Sequence, residues 1–393
     1  MKILYIFGCF MLALCSNSIA SEALNKLYGM PSSAVLLVDN KDKSIIARQI
    51  DRQMIPASTV KLITALAALK YWGSDYQFRT EFYLDPKNSV LIVKGFGDPF
   101  LVSEELDVIV EKIKQLNISV FNGIVADSSY FGQEVNIQEQ GKSNNPYDAA
   151  SAALAANFNS IEVNVKAGVV KSAEKQTPLT PMAKLLASKL SDGRHRINLG
   201  LAERSPDYFI EVLAAKLRNV GIVIQDEEST ISFDEKNTQL LFHHKNTRTL
   251  DVIVTAMLEY SNNFIANQLF LMLGAEQLGA PANLQKSQQA MASFIAKQFA
   301  WQNYVIEDGS GLSRCNQLNA NQLIDVLKLF RPYQSLLPQQ NSSILAKSGT
   351  LKGVSTYAGY VFRNDEWQSF ALLINQSVPY RFREQIAEDL LQY

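Results

Sequence analysis

Strand-forming apolar runs stand at both ends of this 393-residue chain, and they restrict what it can fold into more than any other feature. Near the start, residues 34–38 and 44–47 are separated by the polar stretch 39–43, whose Asp and Asn residues favour a turn, so the pair reads as a hairpin. Near the end, residues 356–362 and 367–374 flank the polar turn 363–366 and read as a second hairpin. Helical patterns lie beside both. Leu62, Ala65, Leu66 and Leu69 recur at helical spacing across residues 59–70, and residues 383–393 form an amphipathic pattern. Two hairpins at opposite termini with helices next to them predict one antiparallel sheet, built from both chain ends and covered by helices.

The long middle divides in two. Residues 250–278 and 285–299 are helical in pattern. Residues 73–239 carry short strand-like runs, such as 90–93 and 161–165, punctuated by Gly, Asn and Pro, and read as a mixed, strand-rich insertion domain. The expected organisation is therefore a leader at 1–20, a main domain from 21–72 and 240–393, and the insertion between them.

The leader is read from Lys2, an apolar stretch over residues 3–14 and the small residues Ser18 and Ala20, which together predict export with cleavage after Ala20. That stretch is shorter than the roughly 17–25 residues needed to span a bilayer, so no stable membrane anchor is expected. Cys9 and Cys15 leave with the leader, and Cys315 alone cannot form a disulfide framework. An inert or buried thiol is the expectation for it. With 37 Lys and Arg against 38 Asp and Glu, and no basic run, nucleic acid is excluded as a partner.

Absences narrow the chemistry. The chain has 3 His, none in a zinc-binding motif, and neither a nucleophile elbow nor a phosphate loop, so no metal or cofactor is expected. His243 and His244 read as a solvated pair in a loop. A serine can instead be activated by a lysine three residues on, because positions i and i+3 share a helix face. With 34 Ser and 24 Lys, about two such pairs arise by chance, and two occur, Ser58/Lys61 and Ser172/Lys175. Context separates them. Ser58 opens an apolar helix in which Lys61 is partly buried, and burial or a nearby cation lowers a lysine's pKa toward that of a neutral base. Ser172 lies in a polar stretch. Two further clusters complete the set. Ser261-Asn262-Asn263 supplies a hydroxyl and amides within the helical region, with helix capping as its ordinary reading. Lys347-Ser348-Gly349-Thr350 precedes the terminal hairpin, where Gly349 permits close backbone approach.

These three clusters, in this order, resemble the low-molecular-mass class C penicillin-binding proteins, the D-Ala-D-Ala carboxypeptidase/endopeptidase family. Segments 95–99, 149–159 and 308–314 add to the likeness, and the roughly 200 residues between Lys61 and Ser261 match the place where that family carries extra domains. The resemblance implies an α+β fold: a serine DD-peptidase/β-lactamase-like domain, with an antiparallel sheet flanked by helices plus a helical subdomain. It implies Ser58 as nucleophile, Lys61 as base, Ser261 as proton relay and Lys347 as a source of positive potential that keeps Lys61 neutral. Asn263 would hold the substrate amide, Ser348 and Thr350 its terminal carboxylate, and the N–H groups of Ser58 and Thr350 the oxyanion.

The implied substrates are peptidoglycan peptides ending in D-Ala-D-Ala, in the periplasm, with β-lactams acylating the same serine. Departures from the family pattern are Ser348 for the usual Thr, Asn262 for Asp, Asn267 for Glu, a shortened 331–346 segment and a shortened insertion. Two other readings stay open at this stage: a β-lactamase or esterase on the same fold, and a catalytically degenerate peptidoglycan-binding protein.

Overall fold

The two terminal hairpins meet in one sheet. A computed structural model describes residues 22–393 apart from 133, 134, 136, 138–142 and 227–234; the leader and its cleavage point after Ala20 lie outside the described residues. The chain begins with α1 (Glu22–Tyr28), β1 (Ser33–Val38), β2 (Ser44–Arg48) and α2 (Val60–Trp72). It continues through β3 (Arg79–Asp85), β4 (Val90–Gly95), α3 (Ser103–Gln115), β5 (Val120–Asp127), β6 (Ser160–Lys166) and β7 (Val169–Ser172). Then come α4 (Pro181–Ala187), β8 (Gly193–Asn198), α5 (Arg204–Asn219), β9 (Val223–Asp226) and β10 (Gln239–Lys245). Helices α6 (Leu250–Glu259), α7 (Asn263–Leu278), α8 (Leu284–Gln298) and α9 (Ala320–Phe330) lead to β11 (Gln339–Asn341), β12 (Ile344–Leu351), β13 (Val354–Arg363), β14 (Glu366–Ile374) and α10 (Phe382–Leu390).

β1 runs antiparallel to β14, from Ser33 opposite Ile374 to Val38 opposite Ser369. The sheet order is β11-β12-β13-β14-β1-β2, and every neighbouring pair is antiparallel. Side chains alternate between the faces of a strand. Ala34, Leu36 and Val38 join the core beneath α2, α7 and α9, whereas Val35 and Leu37 pack with Leu24 and Leu27 of α1 and Phe382, Ile386 and Leu390 of α10. Both faces of the central strands are covered, which is why residues 34–38 and 370–374 read as unbroken apolar runs. Joining the termini across so long an excursion is tolerable because loop-closure entropy grows only by about 0.6 kcal/mol per doubling of length.

α2 is buried from Val60 through Leu69 without interruption. A helix that is apolar all round lies in the middle of a core, so Lys61 is carried into the interior by its neighbours. The helical pattern over 250–278 is interrupted where sequence periodicity gave no sign of it: α6 ends at Glu259, Ser261 takes a left-handed φ of +51°, and Asn262 caps α7 by accepting from the Ile265 N–H at 3.1 Å.

The inserted region forms a five-stranded mixed sheet, β10-β3-β4-β5-β9, and a three-stranded antiparallel one, β7-β6-β8. Their apolar faces share a core with α3 and α5. Because β10 hydrogen-bonds to β3, residues 240–245 belong with this sheet and not with the main domain as expected from the sequence. That pairing also corrects the reading of the histidines. Both lie on β10, with His243 half exposed and His244 fully buried 2.8 Å from Glu105 Oε1. Cys315 is exposed rather than buried. Among the described residues no helix is long and apolar enough to cross a membrane.

Candidate active site

Ser58 lies half-buried in a single tight turn, Ala57–Thr59, that leads into α2. Its backbone is held from three sides. Pro56 O accepts the hydroxyls of Thr59 at 2.7 Å and Thr356 at 2.8 Å, and Asn375, just past β14, exchanges hydrogen bonds with the Ile55 N–H (2.8 Å) and C=O (3.1 Å). Ala57 takes a φ of +47°, a conformation that costs an alanine of order 1–3 kcal/mol and persists only where the surroundings impose it. Two glycines are the neighbours that impose it. A Cβ on Gly311, whose φ is +79°, would stand 1.9 Å from Ala57 O, and one on Gly349 would stand 2.8 Å from Ser58 N and 3.0 Å from Pro56 O. The turn is gripped between backbone segments that no larger residue could occupy.

One helical turn on, Lys61 is 0% exposed, and its Nζ has three partners: Ser58 Oγ at 3.0 Å, Asn263 Oδ1 at 2.6 Å and Ser310 O at 2.7 Å. The Asn263 amide is oriented by its other end, since Nδ2 donates to Tyr147 O at 3.2 Å. Burial, chiefly, and then the Lys347 ammonium hold Lys61 well below the usual lysine range, against an opposing pull from Asp308. A neutral amine has two N–H bonds and one lone pair. Nζ donates to Asn263 Oδ1, Ser310 O and Ser58 Oγ; in the neutral form the first two acceptors keep the two N–H bonds and the lone pair stands at the third position, toward the Ser58 hydroxyl.

Lys347, Ser348, Gly349 and Thr350 lie inside β12, paired with Ala358, Tyr357, Thr356 and Ser355. The Ala346 N–H crosses the outer edge of β12 to Pro338 O at 3.0 Å. N–H groups alternate sides along a strand, so those of Ser348 and Thr350 point to that same edge. Lys347 is buried, donates to Ser348 O at 2.7 Å, and is pushed down to about 8 by burial and then by Arg383, with Glu259 opposing.

The structure thus brings Ser58, Lys61, Asn263 and Gly349 into direct contact or near-contact, with Lys347 close enough to act on Lys61 electrostatically. Ser261 is half-buried two residues before Asn263; among the described residues its hydroxyl makes no hydrogen bond to Ser58 or Lys61. Thr350 is exposed, and its Oγ1 accepts from Arg383 Nη1 at 2.6 Å. Ser172 ends β7 in the inserted region, and its hydroxyl donates to Glu174 O at 2.9 Å.

Two contributors have no role in the site by sequence reasoning, although segment 308–314 belongs to the family likeness. The first is the loop that presents Ser310 O. Asp308, 1% exposed, accepts six hydrogen bonds, from the N–H groups of Ser310, Gly311, Leu312 and Ser313, the Ser310 hydroxyl and the Asn316 amide. An Asp whose carboxylate bonds N–H groups two and three residues on is a turn signal, and Asp308-Gly309-Ser310-Gly311 carries it. The second is Arg383, which reaches the site from the start of α10 and has no motif around it.

This geometry has counterparts. The profile of the D-Ala-D-Ala carboxypeptidase 3 (S13) family matches residues 19–189 and 190–342. The D-alanyl-D-alanine carboxypeptidase of Actinomadura sp. (strain R39) is 22% identical, across 93% of this chain and 82% of its own. The D-alanyl-D-alanine carboxypeptidase DacB of Haemophilus influenzae is 25% identical, across 88% of this chain and 89% of its own. Among solved structures, penicillin-binding protein 4 (dacB) of H. influenzae superposes with a TM-score of 0.74 at 22% identity, covering 95% of this chain and 100% of that one. A penicillin-G-acylated predatory endopeptidase from Bdellovibrio bacteriovorus superposes at 0.54 with 16% identity, over 92% of this chain and 90% of that one. The fold is therefore the α+β serine DD-peptidase fold that the motifs implied. Matched by the family profile over well more than half of its length, the chain belongs to the D-Ala-D-Ala carboxypeptidase 3 (S13) family.

Proposed function

We propose that the protein is a serine D-Ala-D-Ala carboxypeptidase acting on peptidoglycan stem peptides, with DD-endopeptidase cleavage of cross-links as a second reaction of the same site. One observation carries the mechanism: Lys61 is fully buried, and its Nζ lies 3.0 Å from Ser58 Oγ with only the acceptors Asn263 Oδ1 and Ser310 O as its other partners, so the neutral amine that burial favours has its lone pair left for the Ser58 proton. In the acylation step Ser58 Oγ attacks the carbonyl carbon of the penultimate D-Ala while Lys61 Nζ takes its proton. The N–H groups of Ser58 and Thr350 face the developing oxyanion, a device worth about 2.7–4 kcal/mol per donor. The C–N bond breaks, the departing D-Ala amine takes a proton relayed through Ser261, and water then hydrolyses the ester.

Asn263 lies beside the substrate's peptide amide. Ser348 and Thr350 receive the terminal carboxylate, under the positive potential of Lys347. The hydroxyl of Ser348 serves in place of the family's Thr and lacks only a methyl group. β-Lactams acylate Ser58 by the same attack, as the penicillin-acylated Bdellovibrio endopeptidase does in its own structure. Work on peptidoglycan calls for an extracytoplasmic location, and with the leader signals at residues 1–20 this supports a periplasmic protein cleaved after Ala20. The six-stranded sheet and its helices form the catalytic domain, and the sheets between Arg79 and Lys245 the insertion.

The test is intact-mass analysis after incubation with benzylpenicillin, alongside D-Ala release from a D-Ala-D-Ala peptide. The wild type should gain the mass of the drug and release D-Ala, and Ser58→Ala should do neither. Hydrolysed drug with unchanged protein mass would indicate a β-lactamase; intact drug, unchanged mass and no D-Ala release would indicate a binding protein.

A further inference from the structure

We infer that Arg383 is a positioning residue that sets the preference for substrates with a free C-terminal carboxylate, by fixing the direction in which the Thr350 hydroxyl donates. The inference rests on the DD-peptidase reading above and concerns its carboxylate end. Arg383 Nη1 donates to Thr350 Oγ1 at 2.6 Å and to Gly349 O at 3.1 Å, so both of its hydrogens are committed to β12. Nε donates to Glu384 Oε1 at 2.9 Å, and the guanidinium carbon lies 6.0 Å from the centre of the buried Tyr357 ring, which fixes the side chain along its length.

A guanidinium has donors only, whereas a threonine hydroxyl has one hydrogen and two lone pairs. With Arg383 occupying a lone pair, the Thr350 hydrogen cannot point toward Arg383 and must be given to another acceptor. Thr350 is solvent-exposed at this point, and a cavity of about 330 Å³ opens beside it, lined by Thr350, Val354, Gln376, Tyr380, Arg383 and Glu384. The hydroxyl is thus preset to donate, and only an acceptor gains from it. The guanidinium, 20% exposed, adds positive charge next to the one Lys347 supplies, and that neighbour is felt: Arg383 helps push Lys347 below its usual range. A neutral carboxamide would accept the Thr350 hydrogen bond but forgo the charge-assisted part of it.

The experiment compares two acyl donors that differ only at the C-terminus, an Nα-acylated peptide ending in D-Ala-D-Ala as carboxylate and as carboxamide, on the wild type, Arg383→Gln and Arg383→Lys. The wild type should favour the carboxylate. In Arg383→Gln, kcat/KM for the carboxylate should fall roughly tenfold, the scale of one hydrogen bond to a charged group, mainly through KM, with the carboxamide little changed. Arg383→Lys, which keeps the charge but not the two-bond reach, should fall between. Retained carboxamide turnover and thermal midpoint certify that the variants are folded.

Equal losses on both donors, or no loss on either, would overturn the inference, as would a wild type that acylates on Ser58 yet ignores the difference between donors; in that last case the DD-peptidase reading stands. If Arg383→Gln does not fold, Arg383→Lys decides, and a wild-type ratio of the two donors in it would overturn the inference. A wild type that turns over neither donor would remove the DD-peptidase reading and this inference with it.

Discussion

Replacing Asp308 by asparagine puts the loop behind Lys61 to a quantitative test. The two carboxylate oxygens divide their six donors unequally. Oδ1 accepts from Ser310 N, Ser310 Oγ and Gly311 N, each at 2.7 Å, and from Leu312 N at 3.3 Å; Oδ2 accepts from Ser313 N at 2.8 Å and Asn316 Nδ2 at 3.0 Å. An asparagine keeps one acceptor oxygen and must turn its NH2 toward the other set of donors. Its least costly choice is the Oδ2 side, where two bonds to a charged acceptor are lost and two donors are left facing a third. At about 1.5–3 kcal/mol for each such bond the loss is about 3–6 kcal/mol, a large share of the 5–15 kcal/mol typical of a folded domain.

The expected result in urea unfolding is a lower midpoint at unchanged slope. A second readout follows from the site. The Asp308 carboxylate raises the Lys61 pKa, so removing its charge lowers that pKa further, and the acidic limb of the acylation rate against pH should move to lower pH in whatever fraction stays folded. Asp308→Asn within about 1 kcal/mol of wild type would refute the hydrogen-bond count as the source of the loop's rigidity, and a limb displaced to higher pH would refute the electrostatic assignment.

Three further outcomes are expected. Lys347→Gln removes a cation that lowers the Lys61 pKa, so Lys61 holds its proton to higher pH and the acidic limb of benzylpenicillin acylation should move up, with a slower rate at neutral pH; a limb that stays put would show that burial alone depresses Lys61. Gly311→Ala forces a methyl to within 1.9 Å of Ala57 O at a φ of +79°, and left-handed strain of about 1–2 kcal/mol plus overpacking of about 1–3 kcal/mol should lower the thermal midpoint and slow acylation together. Ser172→Ala should leave acylation at the wild-type rate, since its hydroxyl bonds the backbone of Glu174, donating to its C=O and accepting from its N–H; loss of acylation there would mean that the second Ser-x-x-Lys pair takes part after all.

What the sequence made legible followed local rules. Residues 34–38 and 370–374 announce strands because both faces are covered and every position is apolar, and the structure pairs them with Ser33 opposite Ile374. Ser58 and Lys61 announce themselves because a helix repeats every 3.6 residues, which needs no knowledge of the rest of the chain. The break at Tyr260–Asn262 was legible only through the capping reading of residues 261–263, because its residues interrupt no apolar period: Leu258 and Ile265 stay buried on either side, while the turn itself depends on a left-handed Ser261 and a cap from Asn262. The placement of β10 was hidden for a related reason. Residues 243–244 read as a loop, the run Leu-Leu-Phe-His-His has no clean alternation, and only the pairing with β3 shows the strand and assigns it to the inserted sheet.

The site itself shows where local rules stop. Burial and then the Lys347 cation lower the basicity of Lys61, and its hydrogen bonds go to two acceptors with no sequence relation to it, Asn263 across the α6–α7 break and Ser310 on the Asp308 loop. Motifs name the reacting groups, whereas protonation states are set by how many donors and acceptors converge on one atom, which is a property of the assembled fold. The same logic holds at Thr350 on β12. The Thr350 hydroxyl is a donor because Arg383, 33 positions later, leaves it no other option. A chain that kept all three motifs and lost the Asp308 turn that presents Ser310 O, or lost Arg383, would still look complete by those motifs. Its Lys61 lone pair and its Thr350 hydrogen would then be free to turn away from the substrate, and the ratio of acylation to binding would record it.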